Sequence, residues 1–314
     1  MKDQQIIKEM RQASFFILLP TIYTLLGLFI FQYPLQSTIK QALPIPLFGG
    51  LLLLFIGSFL KGNTKRSAWI RISGWIIFSF YWATQPNTLY WGEEQDIVNA
   101  FLCIAGIYVL FYLAYHEWHA LTKNKKCSNL QWIAGASALA GLIYFVFEMT
   151  PLASSLIDLV AGQSAFLLSL ATGENILVNG PFLSYHLAHI RIIFACTAVQ
   201  SMVIFVGMIL PLPNVPLNRK ILGLLITVVP VYILNLIRNA LITYLVGIYG
   251  DGFFGIAHNY IGKGGSLIAL VLLLFILIKI VPEVFDQILS LIDLPKESGP
   301  IERWIRTNIW RKKQ

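Results

Sequence analysis

The sequence predicts an all-α protein: a polytopic transmembrane helical bundle of about eight spans, N-in and C-in, with an amphipathic segment on the outer side. Three observations carry this expectation. Hydrophobic residues make up 57% of the 314-residue chain and charged residues 12%, and the mean hydropathy is +0.70. A water-soluble domain of this size has too little interior to hide that much apolar surface. The apolar runs are continuous rather than alternating, and of the two architectures that satisfy the backbone in lipid, helices and closed barrels, this pattern selects helices. Finally, Lys and Arg collect in alternate connections between the runs.

The predicted spans are about 14–31, 44–60, 68–84, 97–115, 131–148, 192–211, 221–247 and 264–282. The charged stretch Met1 to Arg11 leads into the first run with no small-residue cleavage site, so it reads as a retained span and not as a cleaved leader. One side of the bundle takes Lys2, Lys8 and Arg11, then Lys61, Lys65, Arg66 and Arg71, then Lys123, Lys125 and Lys126, then Arg219 and Lys220, and then the tail from Lys279. Together these are 19 of the 23 basic residues, and the positive-inside rule makes that side cytoplasmic. The net charge of +8 therefore follows topology and does not point to a nucleic-acid partner. Glu93, Glu94, Asp96, the segment 149–191 and the loop 248–263 face the other way.

The segment 149–191 is too long for a plain connector. Leu152 to Leu170 is amphipathic at helical spacing, with Asp158 and Gln163 at polar positions, and predicts a helix in the outer interface. Asn179-Gly180 between short apolar stretches predicts a small hairpin. The chain thus divides into N-terminal spans over 1–130, a catalytic core over 131–282 that includes the outer segment, and a basic cytoplasmic tail over 283–314. Trp304 and Trp310 in that tail suit contact with an anionic inner leaflet.

Cys103, Cys127 and Cys196 form neither a disulfide framework nor a metal spacing. Cys103 reads as a small core residue. Cys196 stands apart, because Thr197, Gln200 and Ser201 surround it and Arg191 precedes it. A helix beginning near Arg191 would set the thiol in its first turns, where the helix N-terminus and a nearby cation favour thiolate. Arg238 is one of four basic residues outside the cytoplasmic pattern, and an arginine within a span costs about 2.5–3.5 kcal/mol on insertion scales, which marks it as functional. It reads as the stabiliser of an oxyanion, with Asn235 and Asn239 orienting it or lining the cleft. His258, in the loop before the last span, suits general acid/base work near neutrality. His186 and His189 compete for that role, His189 lying on the Cys196 face if the helix extends back past Arg191. Sidedness brings Cys196, Arg238 and His258 to the non-cytoplasmic face.

His116-Glu-Trp-His119 lacks the i, i+4 spacing of the zinc proteases, and Gly262-Lys-Gly-Gly-Ser266 lacks the spacing of a phosphate loop. No metal and no cofactor are expected.

The run Ala195-Cys196-Thr197-Ala198-Val199-Gln200-Ser201, then Asn235-Leu-Ile-Arg238-Asn239, then His258, over about residues 150–280, resembles the exosortase/archaeosortase family of membrane-embedded cysteine transpeptidases. The resemblance implies Cys196 as nucleophile, Arg238 as electrophilic stabiliser and His258 as acid/base. It implies cleavage of the C-terminal sorting signal of exported proteins that end in a short motif, a transmembrane helix and a basic tail. A thioacyl intermediate would then pass the protein to a lipid or glycolipid acceptor at the plasma membrane. Bacterial members often carry Cys-Ser-Gly where this chain has Cys196-Thr197-Ala198, and some archaeal members have arginine where it has His258. Two other readings of the residues stand beside this one. A lipid-linked glycan transporter would use Arg238 and Arg191 as anion contacts, and a membrane acyltransferase would rely on His189 or His258.

Overall fold

The computed structural model of the protein describes residues 2–60, 64–92, 95–123, 128–296 and 299–305. The expected outer acidic pair Glu93 and Glu94, the inner residues Lys61, Lys125 and Lys126, and Cys127 and Trp310 lie outside them. The chain forms two compact units, Met1–Ala138 with Gln287–Gln314, and Leu139–Asp286.

The first unit is helical: α1 (Lys2–Ile30), α2 (Ser37–Ala42), α3 (Pro44–Phe59), α4 (Thr64–Ala83), α5 (Pro86–Trp91), α6 (Ile97–Thr122) and the start of α7 (Ser128–Glu148). Local chemistry sets several ends. Pro44 opens α3 and Pro86 opens α5, where the missing N–H costs nothing. Asp96 caps α6 by accepting from the Asn99 N–H at 2.9 Å. Arg71, expected in a cytoplasmic connection, is instead buried within α4. Its guanidinium donates to both carboxylate oxygens of Glu117 on α6 and to the Gly57 carbonyl on α3, which satisfies a charge pair that would otherwise be prohibitive in an apolar bundle. From the tail, Glu302 inserts against α6 and accepts from the hydroxyls of Tyr112 and Tyr115, both at 3.0 Å.

The second unit runs α8 (Leu152–Thr172), β1 (Leu177–Asn179), β2 (Phe182–Tyr185), β3 (Ala188–Arg191), a 3-10 turn (Phe194–Thr197), α9 (Val199–Ile209), α10 (Leu217–Tyr249), a π-helical segment (Ile256–Lys263), α11 (Gly264–Ile280) and the start of α12 (Glu283–Ile292). The 33-residue α10 is the spine, with α8, α9, α11 and the sheet packed along it. Gly247 makes room for one of these contacts, since a β-carbon there would lie 2.8 Å from the Tyr185 carbonyl oxygen.

The strands form one antiparallel sheet in the order β1-β2-β3, joined by the two-residue turns Gly180-Pro181 and His186-Leu187. Gly180 and His186 both take positive φ, as such tight hairpins demand. The hairpin expected at Asn179-Gly180 is present, and a third strand continues it. Leu183, Tyr185 and Ala188 are buried under the sheet, while Phe182, His189 and Arg191 look outward.

The protein is thus an all-α polytopic bundle carrying one small sheet. Six stretches among the described residues are long and apolar enough to cross a membrane: Ser37–Phe59, Ile97–Thr122, Ser128–Glu148, Leu152–Thr172, Leu217–Tyr249 and Asp251–Ile280. The expected spans over 14–31 and 68–84 are not among these six, and two further stretches differ from expectation. The outer amphipathic segment is a 21-residue helix of spanning length, and the run 192–211 is no single helix. Its α-helical part, Val199–Ile209, spans roughly 16 Å at about 1.5 Å per residue, half of a bilayer core. Pairing with β2 holds the preceding residues extended, and the Ile192 N–H still donates to the Pro181 carbonyl at 2.8 Å.

Candidate functional site

The site is assembled where β3 gives way to α9. Cys196 lies in a 3-10 turn closed by its own N–H on the Ile193 carbonyl at 2.8 Å. The fully buried Thr197 reinforces the turn through its hydroxyl, which donates to the Phe194 carbonyl at 2.7 Å. Ala198 then adopts φ 63° and ψ 6° before α9 begins. A non-glycine residue in this left-handed region is strained, by about 1–2 kcal/mol. The expectation that Cys196 occupies the first turns of a helix starting near Arg191 is therefore corrected. Cys196 sits in the turn between β3 and α9, and a strand-to-helix elbow exposes the nucleophile in α/β-hydrolases.

The half-buried Cys196 packs against the apolar cluster of Val160, Ala161, Ala165, Leu183, Ile192 and Leu236. Its main-chain carbonyl is held from α10, accepting from the Asn235 side-chain amide at 2.7 Å and from that of Asn239 at 3.0 Å. These asparagines were expected to orient Arg238 or to line the cleft. Four residues apart, they share one stripe of the helix, whereas Arg238 is turned about 100° from Asn239. They are 7% and 3% exposed, so without this shared acceptor their amides would be costly.

Arg238 lies between them in sequence. Its Nε is buried and has no hydrogen-bond partner among the described residues. The guanidinium approaches the π-helical segment so closely that a β-carbon at Gly262 would lie 2.9 Å from Nε. His258 belongs to that segment, half-buried, with its ring stacked on Phe254 at 5.2 Å. A π-helical stretch is unfavourable unless something requires it, and such stretches recur at functional sites. The fold therefore brings the Cys196 turn and the His258 segment to the same part of α10 that carries Arg238.

The remaining candidates are placed differently. Gln200 is exposed and Ser201 half-buried at the start of α9, with no polar contact to Cys196 among the described residues. His189 lies on β3, its Nδ1 3.1 Å from the Ser184 hydroxyl, and Arg191 lies over the Phe182 ring at 5.9 Å. The helical relation expected between His189 and Cys196 is absent, because residues 188–191 are a strand. His186 pairs with Glu174 at 3.0 Å. A cavity of about 510 Å³ opens on another face of α10, lined by Leu168, Thr172, Glu174, Ile237 and Tyr244 among others. The carbonyl clamp, the strained Ala198 and the close approach at Gly262 went unread in the sequence. The i, i+4 spacing of the two asparagines was the one signal for the first.

Chemically, the arrangement offers a thiol on a braced turn, a guanidinium with an unused buried donor and an imidazole able to carry a proton.

The model of the transmembrane exosortase family matches residues 47–275. Among curated proteins, the chain is 25% identical to archaeosortase A of Haloferax volcanii, over 76% of this chain and 90% of that protein. It is 24% identical to archaeosortase A of Natronomonas pharaonis, over 86% of this chain and 89% of that one. No solved structure matches it.

Proposed function

Because this chain belongs to the transmembrane exosortase family, we propose that it is a cysteine transpeptidase that cleaves the C-terminal sorting signal of exported proteins and transfers them to a lipid or glycolipid acceptor. It is a multi-pass membrane enzyme that processes sorting signals. In the proposed reaction the Cys196 thiolate adds to the scissile carbonyl carbon, and the carbonyl electrons move onto oxygen. Arg238 meets that charge with the donor it leaves free in the resting site. His258, protonated on taking the thiol proton, gives it to the leaving amine as the C–N bond breaks. The released segment carries the substrate's transmembrane helix and basic tail. A hydroxyl or amine of the acceptor then attacks the thioester, His258 takes its proton, and the thiol is regenerated. The non-cytoplasmic face of the plasma membrane suits these steps, since exported substrates and surface acceptors meet there.

The observation that carries this reading is the double clamp of Asn235 and Asn239 on the Cys196 carbonyl, made from the same helical stretch that presents the unpartnered Arg238 Nε. A cysteine retained only for packing has no need of such bracing.

The test is C-terminal proteomics of the host's exported proteins, wild type against Cys196→Ala at matched expression. A set of proteins that keeps its C-terminal span only in the variant is the expected result, and the wild-type ends define the cut sites. Identical C-termini in the two strains would remove Cys196 from protein sorting and sink the proposal.

A further inference from the structure

β3 ends five residues before Cys196, and its outer edge carries main-chain groups that no other described residue uses. The hydrogen-bonding pattern of the sheet establishes which groups these are. Ile192 N–H donates to the Pro181 carbonyl, and an antiparallel ladder alternates from there. Ile190 and Ala188 therefore point their N–H and C=O groups inward to their partners Leu183 and Tyr185. His189 and Arg191, opposite Ser184 and Phe182, point theirs away from the sheet. The two-residue turn at His186-Leu187 requires the same phase, because the residues that flank such a turn form a hydrogen-bonded pair. Among the described residues, the outward groups of His189 and Arg191 have no hydrogen-bond partner. Both residues are exposed.

The side chains leave this edge open. The Arg191 guanidinium is drawn over the Phe182 ring and the His189 imidazole over the Ser184 hydroxyl, so both lie on the face of the sheet and not along its rim. The other rim is a poorer template, since β1 is three residues long, offers only Val178 outward and is separated from β3 by β2.

We infer that the outer edge of β3 docks an extended segment of the substrate, next to its scissile bond, as a fourth strand. This rests on the cysteine transpeptidase reading above. The occupant follows from the unpaired groups and their position. Two donors and two acceptors spaced along about 6–7 Å of strand match an extended main chain, not a helix or a lipid. Continuity with the Cys196 turn then carries such a strand toward the thiol, with the paired residues acting as a positioning rail. A substrate that enters as a membrane helix must be extended at its cut site, and main-chain pairing selects for that without demanding particular side chains. Sequence preference is left to the outward face bearing His189 and Arg191.

Two experiments test this on the full-length enzyme in its host membrane, using as substrates the proteins whose C-termini change in Cys196→Ala. The first removes the outward N–H alone. His189→Pro and Arg191→Pro leave the β2 ladder intact, because an edge strand tolerates proline where its N–H faces outward. Each is expected to slow appearance of the cut ends by about ten-fold, with Arg191→Ala, which keeps the N–H, losing less. The second places a photo-cross-linking phenylalanine at position 189 or 191 in the Cys196→Ala background and maps the substrate residues captured. Strand pairing requires the two capture positions to lie two residues apart, beside the cut site. Proline variants that cut at the wild-type rate, or capture positions without that two-residue offset, would overturn the inference while leaving the transpeptidase reading standing. If the proline variants fail to accumulate in the membrane, the capture register decides. If Cys196→Ala changes no C-terminus at all, the functional reading fails, and the docking edge with it.

Discussion

Asn235 on α10 donates its side-chain amide to the main-chain carbonyl of Cys196 at 2.7 Å, across 39 positions of sequence. With Asn239 completing the pair at 3.0 Å, both lone pairs of that oxygen are engaged. The turn bearing the thiol is thus held by the helix that bears Arg238. Asn235→Ala and Asn239→Ala each remove one of two donors from a buried acceptor and should cost about 0.5–1.5 kcal/mol of stability. Because the two share one oxygen, either single variant leaves it one donor, and the double variant, which orphans it, should cost more than the sum of the singles. Thermal unfolding in detergent measures the first effect. Cutting of sorting signals should fall in each single variant by at least about ten-fold, since a turn no longer pinned presents the thiol in many orientations.

Arg238 carries a buried Nε with no partner among the described residues, which costs stability, and the proposed reaction gives that donor its use. Arg238→Ala should leave melting unchanged or raise it, while cutting falls by about 10²–10³-fold, the range for losing an oxyanion donor. Arg238→Lys keeps the charge but loses the planar fork and should restore little activity. A variant that melts lower and cuts normally would make Arg238 a structural residue. The comparison of melting with turnover tells the two roles apart.

Ala198 holds φ 63° at the elbow between the Cys196 turn and α9. Ala198→Gly removes the clash of a β-carbon in the left-handed region and should raise stability by about 1 kcal/mol, with cutting retained. Ala198→Val, β-branched, should destabilise and slow cutting together. Glycine is the residue this backbone conformation prefers. Chemical denaturation of the three forms, followed by tryptophan fluorescence, gives the order.

Arg219 donates to both oxygens of Glu283 at 2.7 and 2.9 Å, tying the start of α10 to the start of α12. Hydrogen bonding from Arg219 holds the Glu283 carboxyl below its ordinary range, outweighing the opposing effect of burial. A carboxyl depressed in the folded state stabilises it above the unfolded pKa and loses that contribution as pH falls through the folded value. Wild type should therefore melt higher than Glu283→Gln at neutral pH, and the difference should begin to shrink as pH drops below the ordinary glutamate value of about 4.3 and vanish only below the depressed folded value. Both side chains are about one-third exposed, so the gap should also shrink in high salt. A gap that persists in acid would assign the effect to packing.

Much of the architecture was legible because lipid imposes it locally. A continuous apolar run must be helical wherever it is buried in hydrocarbon, and α3, α6, α7, α10 and α11 need nothing beyond their own residues to be recognised. Arg71 was misplaced because hydropathy sees only its charge, while Glu117, which satisfies it, comes 46 positions later. Residues 192–211 failed for a related reason. Ile190, Ile192 and Ile193 are as apolar as any helix residue, and only pairing with β2, through the turn at His186-Leu187, makes that stretch extended.

The amino-acid sequence by itself determined the helical class and which residues carry reactive groups: a thiol at Cys196, a guanidinium at Arg238 and an imidazole at His258. These are matters of composition and side-chain chemistry, present in any conformation. The tertiary structure alone decided that Cys196 stands in a turn before the strained Ala198, that Asn235 and Asn239 grip its carbonyl, and that His189 and Arg191 line a strand edge unpaired among the described residues. Each of those depends on hydrogen bonds between residues from different segments, and a main-chain carbonyl or N–H bears no mark in the sequence of the partner it will find.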